Sequence, residues 1–277
     1  MPVLTQARVP LTHPLEVVNE FGELVTMSIP SERALTVYVD KREVVTLMTL
    51  GAQPEWLVLG FLLNQRLVAS ASEVESITVD WEVGAAAVKT YAGISQIAEK
   101  TAKRVVTTGC GQGSMFGDLM DSVEQLELPA ATITQAQLYG IVDAIRLQQS
   151  IYKAAGSVHG CALFEGQEML LFLEDVGRHN AIDAIAGWMA LQPDMRSDNK
   201  FFYTTGRMTS EMVIKAAQMG IPVLVSRSGI TQMGHMVAHR LGLCTIGRAT
   251  HRRFLCFSAP HRLQLQPELA GSRLRAA

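Results

Sequence analysis

Between Phe201 and Ile246 the chain alternates short apolar runs with amphipathic stretches of helical length, and this rhythm constrains the fold more than any other feature. The spacing predicts strand Phe201–Thr205, helix Thr209–Met219, strand Val223–Ser226, helix Thr231–Leu241 and strand Leu243–Ile246. Successive strands separated by a helix cannot pair as hairpins, so they lie parallel with helical crossovers. Gly220 and Gly242 stand where helix C-terminal caps are expected. Upstream, Val158–Phe164 and Met169–Leu173 read as a hairpin around Glu165–Gly166, followed by a helix at about Arg178–Ala190. Leu138, Ile141, Val142 and Ile145 have helical spacing within Gln135–Gln149, with Thr134 as its cap. Leu126–Thr134 reads as a linker.

The chain before residue 126 has a different pattern. Ala34–Val39 and Glu43–Leu47 read as strands joined near Asp40–Lys41, and Ser76–Glu82 with Ala86–Tyr91 as a hairpin broken at Gly84. Pro54 opens a helix to about Leu63, since a first helical turn does not use the N–H that proline lacks. Arg104–Thr108 is a short strand running into the glycine-rich stretch Gly109–Gly113. The expected class is therefore α/β. Residues 1–125 form a smaller β-rich N-terminal domain ending in the Cys110 loop, and residues 126–277 form a layered α/β domain. The tail after Leu263 is expected to be loosely held.

Composition narrows the function. With 48% hydrophobic residues, 18% charged and a net charge of −2, the chain has apolar material for a sizeable core and lacks the basic excess of a general nucleic-acid binder. No apolar run approaches the ~20 residues of a membrane helix, and Met1–Pro14 lacks the pattern of a secretory signal. A cytoplasmic protein is expected, with no membrane or nucleic-acid partner.

In open α/β sheets ligands bind beyond the carboxyl ends of the strands. The loops there are Thr204-Thr205-Gly206-Arg207, Ser226-Arg227-Ser228-Gly229 and Gly247-Arg248 onward. Helix N-termini and the forked donors of Arg207, Arg227 and Arg248 suit phosphate oxygens. Any one such loop is ordinary capping with a solvated arginine; three together point to an anion site. From Arg240 to Ala277 there are seven arginines and one acid, Glu268, which favours a polyanionic ligand over a merely solvated face. Glu174-Asp175-Val176-Gly177-Arg178-His179-Asn180 places Arg178 and His179 in a first helical turn, where the helix dipole disfavours cations. A functional site and a buried salt-bridge cluster both fit that run, and Asp175 is a candidate cap.

Of the four cysteines, Cys161, Cys244 and Cys256 sit in apolar strand-like runs and read as core residues. Cys110 lies in Thr107-Thr108-Gly109-Cys110-Gly111-Gln112-Gly113-Ser114. Flanking glycines leave its sulfur open, and backbone N–H groups of such a loop lower a thiol's pKa. A thiolate there can take the outer sulfur of another protein's persulfide. A phosphate cradle in which Cys110 is incidental is the alternative, though the glycine spacing matches neither the dinucleotide fingerprint nor a Walker loop.

Together these stretches resemble the FdhD family of formate dehydrogenase accessory sulfur carriers. The resemblance is carried by Thr108-Gly109-Cys110-Gly111, by Glu174 through Asn180 with Ala181, by Thr205-Gly206-Arg207 with Glu211 and Lys215, by Gly220-Ile221, and by Ser226-Arg227-Ser228. Looser similarity runs from about Leu35 to Leu263. The resemblance implies a cytidine-deaminase-like α/β domain beside the smaller domain, and a homodimer. It implies sulfur received from a cysteine desulfurase as a persulfide on Cys110. The sulfur then passes to the bis(molybdopterin guanine dinucleotide) molybdenum cofactor, bound as cargo for the catalytic subunit of formate dehydrogenase; a guanine nucleotide can substitute for it. The family's cofactor segment matches Arg248-Ala249-Thr250-His251-Arg252-Arg253, with Arg207, Arg227, Ser226, Arg178 and His179 as further binding candidates. Three departures stand out. The second cysteine of the family's C-x-x-C pattern is Gly113. Ala-Pro-Thr after Ser-Arg-Ser is Gly229-Ile230-Thr231. A glycine-rich cofactor stretch is Thr250-His251-Arg252.

The competing function is a chaperone that delivers the cofactor without sulfurating it, favoured by Gly113. A zinc-dependent deaminase, suggested by the implied fold, is set aside: the chain has no C-x-x-C, and His159-Gly160-Cys161 puts cysteine where the proton-shuttling glutamate belongs. No zinc or other metal ligand set is expected.

Overall fold

The computed structural model describes residues 1–93, 105–106, 113–114, 126–192, 194–195 and 198–270. The chain divides into two compact units. One comprises residues 1–119, 149–161 and 173–195, the other 120–148, 162–172 and 196–277. The α-helices of the described residues are α1 (Pro54–Asn64), α2 (Gln135–Leu147), α3 (Ile151–Ala155), α4 (Arg178–Ala190), α5 (Ser210–Gln218) and α6 (Gln232–Leu241).

The first unit is built on a five-stranded sheet in the order β1-β6-β7-β4-β5. Its strands are β1 (Val3–Leu4), β4 (Arg33–Val39), β5 (Arg42–Thr49), β6 (Val74–Asp80) and β7 (Ala85–Thr90). The β4–β5 turn holds Asp40 and Lys41 at φ 47° and 72°, a left-handed pair without glycine. Asp40 offsets part of that strain, because its carboxylate accepts from the N–H and hydroxyl of Thr90 at 3.0 and 2.7 Å. A separate hairpin of β2 (Thr12–Val18) and β3 (Leu24–Pro30) leaves Val18, Phe21 and Leu24 exposed; the sequence reading did not include it. Helix α1 starts at Pro54, as predicted, and packs against α4. The two helices approach so closely that a Cβ on Gly60 would lie 1.7 Å from the Asp183 carbonyl oxygen, and one on Gly187 2.0 Å from that of Trp56. Asn64 donates to the buried Asp183 carboxylate at 2.7 Å across the same crossing. Strands β8 (Val105–Val106) and β9 (Gly113–Ser114) pair antiparallel. Cys110 falls between them in sequence and lies outside the described residues.

The sheet of the second unit has the order β12-β11-β13-β14-β15-β16. Strands β11 (His159–Glu165) and β12 (Glu168–Asp175) pass from one unit to the other. They are joined at Gly166, whose φ of 59° suits glycine. Strands β13 (Lys200–Thr204), β14 (Val223–Ser226) and β15 (Cys244–Thr250) run parallel, with Phe201 opposite Val223 and Val223 opposite Cys244. This is the pairing the strand–helix rhythm requires. The third strand does not stop at Ile246, however. It continues to Thr250 and turns at His251–Arg252 into an antiparallel β16 (Arg253–Ser258). The core gathers Leu138, Ile141, Phe164, Phe201, Tyr203, Val223, Val225 and Ile246.

Two sequence expectations are corrected in this unit. The supposed linker Leu126–Thr134 is anchored in the core by Ala131 and Ile133, both buried. There β10 (Ile133–Thr134) pairs in parallel with β17 (Leu263–Gln264), and the Arg262 guanidinium donates to the carbonyls of Pro129 and Ala131. Burying one isoleucine of this kind is worth about 2 kcal/mol, more than a linker's hydration would return. Nor is the chain loose directly after Leu263: the Gln266 side chain accepts from Ala136 N–H at 3.0 Å, and its N–H donates to the Gln135 side chain at 2.8 Å. Residues 271–277 lie outside the described residues.

Candidate functional site

The β15–β16 hairpin and the start of α2 enclose an open cavity of about 660 Å³. Its walls are Gln135, Tyr139, Arg248, Thr250, Arg252, Arg253, Phe254, Leu255, Leu265, Pro267 and Ala270. Thr134 fixes the start of α2 through a capping box. Its hydroxyl accepts from Gln137 N–H at 3.1 Å, and the Gln137 side chain accepts from Thr134 N–H at 2.9 Å, worth about 1 kcal/mol. One turn of helix then places Gln135 beneath Tyr139, with the amide donating to the phenol oxygen at 2.8 Å. The Tyr139 hydroxyl donates to the Arg252 carbonyl at 3.1 Å. The Arg252 guanidinium lies 4.7 Å from the centre of the Tyr139 ring and 3.4 Å from Asp143 Oδ2. Phe254 meets Tyr139 edge-on at 6.2 Å. Three arginines thus surround a wall of aromatic and apolar groups. Arginine is weakly hydrated and forked, and it matches phosphate oxygens in pairs, while the apolar wall receives a flat ring. The cavity suits a ligand that is anionic at one end and aromatic at the other.

The structure brings four of the predicted residues together here: Arg248, Thr250, Arg252 and Arg253. Ala249 between them is buried in the core, and His251 is exposed at the turn, with φ 52°. Gln135, Tyr139 and Phe254 were not singled out from sequence. The signal available was the i, i+4 spacing of Gln135 and Tyr139 directly after the predicted cap.

The three strand-end loops are joined through their backbones. Arg227 N–H donates to the Thr204 carbonyl at 3.1 Å and Arg248 N–H to that of Ser228 at 2.6 Å. Ser226 is wholly buried; its hydroxyl donates to the Gly206 carbonyl and accepts from Ser228 N–H, so it braces two loops. Arg207 and Arg227 are exposed and do not line the cavity. The N-terminus of α6 is partly satisfied by its own cap, with the Thr231 hydroxyl accepting from Gly234 N–H at 3.2 Å. Glu211, in the first turn of α5, pairs with Lys215 at 3.3 Å, both side chains buried.

In the first unit, the run from Glu174 to Asn180 forms a buried junction between β12 and α4. Asp175 is not the cap residue of α4, which is Gly177. Instead its carboxylate accepts from the Thr49 hydroxyl (2.5 Å), Leu50 N–H (3.2 Å), Gly177 N–H (3.1 Å) and the Asn180 amide (2.9 Å). Burial nevertheless holds Asp175 above the ordinary aspartate range, since the four donors offset only part of the desolvation. Glu174 is also raised by burial, opposed by the backbone N–H groups of Ile151 and Tyr152 that it accepts from at the start of α3. Arg178 and His179 are buried in the first turn of α4. Among the described residues no group of three or more His, Cys, Asp or Glu is placed to hold a metal ion, and no helix is long and apolar enough to cross a membrane.

The model of the FdhD/NarQ family matches residues 30–264. The chain belongs to that family. It is 30% identical over 246 residues to the sulfur carrier protein FdhD of Bacillus licheniformis, covering 88% of this chain and 93% of the relative. It is 28% identical over 248 residues to that of Staphylococcus haemolyticus, covering 88% and 94%. A crystal structure from Desulfotalea psychrophila, described as a formate dehydrogenase accessory protein, superposes with a TM-score of 0.75 at 25% identity, over 92% of this chain and all of that one. The mixed α/β fold of this FdhD-family chain is thus shared with a solved structure. The cavity falls within the matched span except for Leu265, Pro267 and Ala270.

Proposed function

We propose that this FdhD-family protein is a sulfur carrier. It accepts sulfur from a cysteine desulfurase as a persulfide on Cys110 and passes it to the bis(molybdopterin guanine dinucleotide) molybdenum cofactor destined for formate dehydrogenase. The observation that supports this best is the arginine-lined cavity with its Tyr139–Phe254 wall, whose chemistry fits a guanine nucleotide and its pyrophosphate. In this reading the second unit, residues 120–148, 162–172 and 196–277, is the deaminase-like layered domain that holds the cofactor, and the Cys110 segment handles sulfur. The first step exchanges one S–S bond for another: the Cys110 thiolate attacks the outer sulfur of the donor persulfide, and the donor cysteine leaves as a thiolate. Release of that sulfur as sulfide needs two electrons. With glycine at 113 a low-molecular-weight thiol attacks the Cys110 sulfur, the outer sulfur leaves as sulfide, and the mixed disulfide left on Cys110 is reduced by a second such thiol.

The test loads the protein with the molybdenum cofactor after incubation with a desulfurase and free cysteine, and measures sulfur on the recovered cofactor. The wild-type chain is expected to return sulfurated cofactor. Cys110→Ala is expected to bind the cofactor equally and return it without added sulfur. Equal sulfuration by both proteins would replace this reading with the delivery chaperone that Gly113 favours.

A further inference from the structure

Cys244 and Cys256 read from sequence as independent core residues, yet their sulfurs lie 4.0 Å apart. They sit on neighbouring antiparallel strands. Cys256 is opposite Ile246, and Cys244, two residues before Ile246, shares its face of the sheet. A register shift between Thr245 and Ile246 places Ser258 opposite Thr245 and brings the two cysteines diagonally together. Ser258 fixes this stretch, its hydroxyl 2.6 Å from that of Thr245 and donating to the Leu243 carbonyl at 2.7 Å. The two thiols are unequal: Cys244 is wholly buried, whereas Cys256 is partly exposed.

We propose that Cys244 and Cys256 form a second thiol centre, an oxidisable dithiol that closes to a disulfide on meeting a peroxide. The proposal is independent of Cys110 and of the sulfur-carrier reading. Cys256 is the attacking group. The two sulfurs share a contact in which either can donate, and the protonated Cys256 thiol also reaches the Ser258 carbonyl at 3.4 Å. The contact between the sulfurs lowers the Cys256 pKa to about 7 against the effect of burial and, with burial, raises that of Cys244. The Cys256 thiolate attacks one peroxide oxygen and the O–O bond breaks. Cys256 becomes a sulfenic acid, and the departing hydroxide takes up a proton as water. The Cys244 sulfur then attacks Cys256, the S–O bond breaks, and a second water leaves with the Cys244 proton. Two thiols lose two electrons, and one peroxide is reduced to two waters. Closing the bond brings the sulfurs to about 2 Å. It would cross-link the two strands whose connecting turn carries Arg252, and so tie the wall of the cavity to the thiol state.

The test uses the full chain with Cys110→Ser, so that the remaining cysteines are Cys161, Cys244 and Cys256. After hydrogen peroxide at neutral pH, denaturation and alkylation, intact mass and peptide mapping are read. The expected result is loss of two hydrogens, one Cys244–Cys256 linked peptide pair, Cys161 alkylated as a thiol, and full reversal by dithiothreitol. In a Cys244→Ser variant of the same chain, Cys256 should stop at a sulfenic acid that dimedone traps. Recovery of Cys244 and Cys256 as alkylated thiols, or conversion of Cys256 to a sulfinic acid while Cys244 stays a thiol, would overturn the proposal; either can be read on the parent chain without the variant.

Discussion

Alanine at Gly187 should destabilise the first unit even though alanine is the better helix former. Inside a helix the substitution is worth about 1 kcal/mol in alanine's favour. Against this, the new Cβ would stand 2.0 Å from the Trp56 carbonyl oxygen, 2.8 Å from its carbon and 2.9 Å from Gly60 N. A carbon–oxygen contact settles at roughly 3.3 Å, so α4 would have to retreat from α1 by more than about 1 Å. All the atoms met are backbone and cannot swing aside. A gap of that size forfeits a quarter to a half of the dispersion energy of each contact it opens, and overpacking of this kind costs about 3 kcal/mol at its upper end. The net expectation is a loss of about 2 kcal/mol after the propensity gain of about 1. The three tryptophans of the chain, Trp56, Trp81 and Trp188, all lie in the first unit, so urea unfolding followed by tryptophan fluorescence reads this unit directly. Gly140→Ala in α2 is the contrasting case: its Cβ would meet the side chain of Gln167, the nearest atom being the terminal Oε1 at 2.5 Å, and that side chain can rotate away. This variant should match or exceed the wild type when unfolding is followed by circular dichroism. A Gly187→Ala midpoint equal to or above the wild type would refute the close-approach argument.

Further outcomes follow from the two polar sites. Asp175→Asn leaves Leu50 N–H or Gly177 N–H without its charged acceptor and should cost about 1–3 kcal/mol in urea unfolding; an unchanged midpoint would contradict the proposed bracing. Because Asp175 and Glu174 are raised in the folded state, the native chain holds protons that the unfolded chain has released. Their contribution to stability is therefore present below the ordinary carboxylate range of about 4 and falls as pH rises from there through the raised values. Asp175→Asn should flatten that decline, and an equal slope in wild type and variant would count against it. Arg252→Ala should weaken binding of guanosine diphosphate about 10- to 100-fold by titration calorimetry, the loss of one charge-assisted contact. Unfolding should change by less than about 1 kcal/mol, since Arg252 and Asp143 form an exposed pair; unaltered affinity would remove Arg252 from the site.

The parallel β13-β14-β15 order was legible because strands of four or five apolar residues alternate with capped helices, leaving one way to pair them. The β15–β16 hairpin was less so. Its turn at His251–Arg252 has no glycine, asparagine or proline, and the arginine run there reads as a charged surface whether or not it turns. Residues 126–134 misled for the opposite reason: proline, alanine and threonine have linker composition, and the burial of Ala131 and Ile133 comes only with tertiary pairing to Leu263–Gln264. The Asp175 network was visible as a polar cluster, but its partners Thr49 and Leu50 are more than a hundred residues away and carry no local signal. The same holds for the Cys244–Cys256 contact, which depends on a strand register that spacing does not specify. Arg248 was legible from its strand-end loop and Arg252 and Arg253 from the arginine-rich run, with Thr250 added by the family resemblance, whereas Tyr139, which orients Arg252, sits in a helix read only for its apolar face.

The central claim is tested most directly by intact-protein mass spectrometry after incubation with a cysteine desulfurase and free cysteine. The account predicts a gain of one sulfur atom, located on the Cys110 peptide and absent from Cys110→Ala. No gain in the wild type, or an equal gain in the variant, would contradict it.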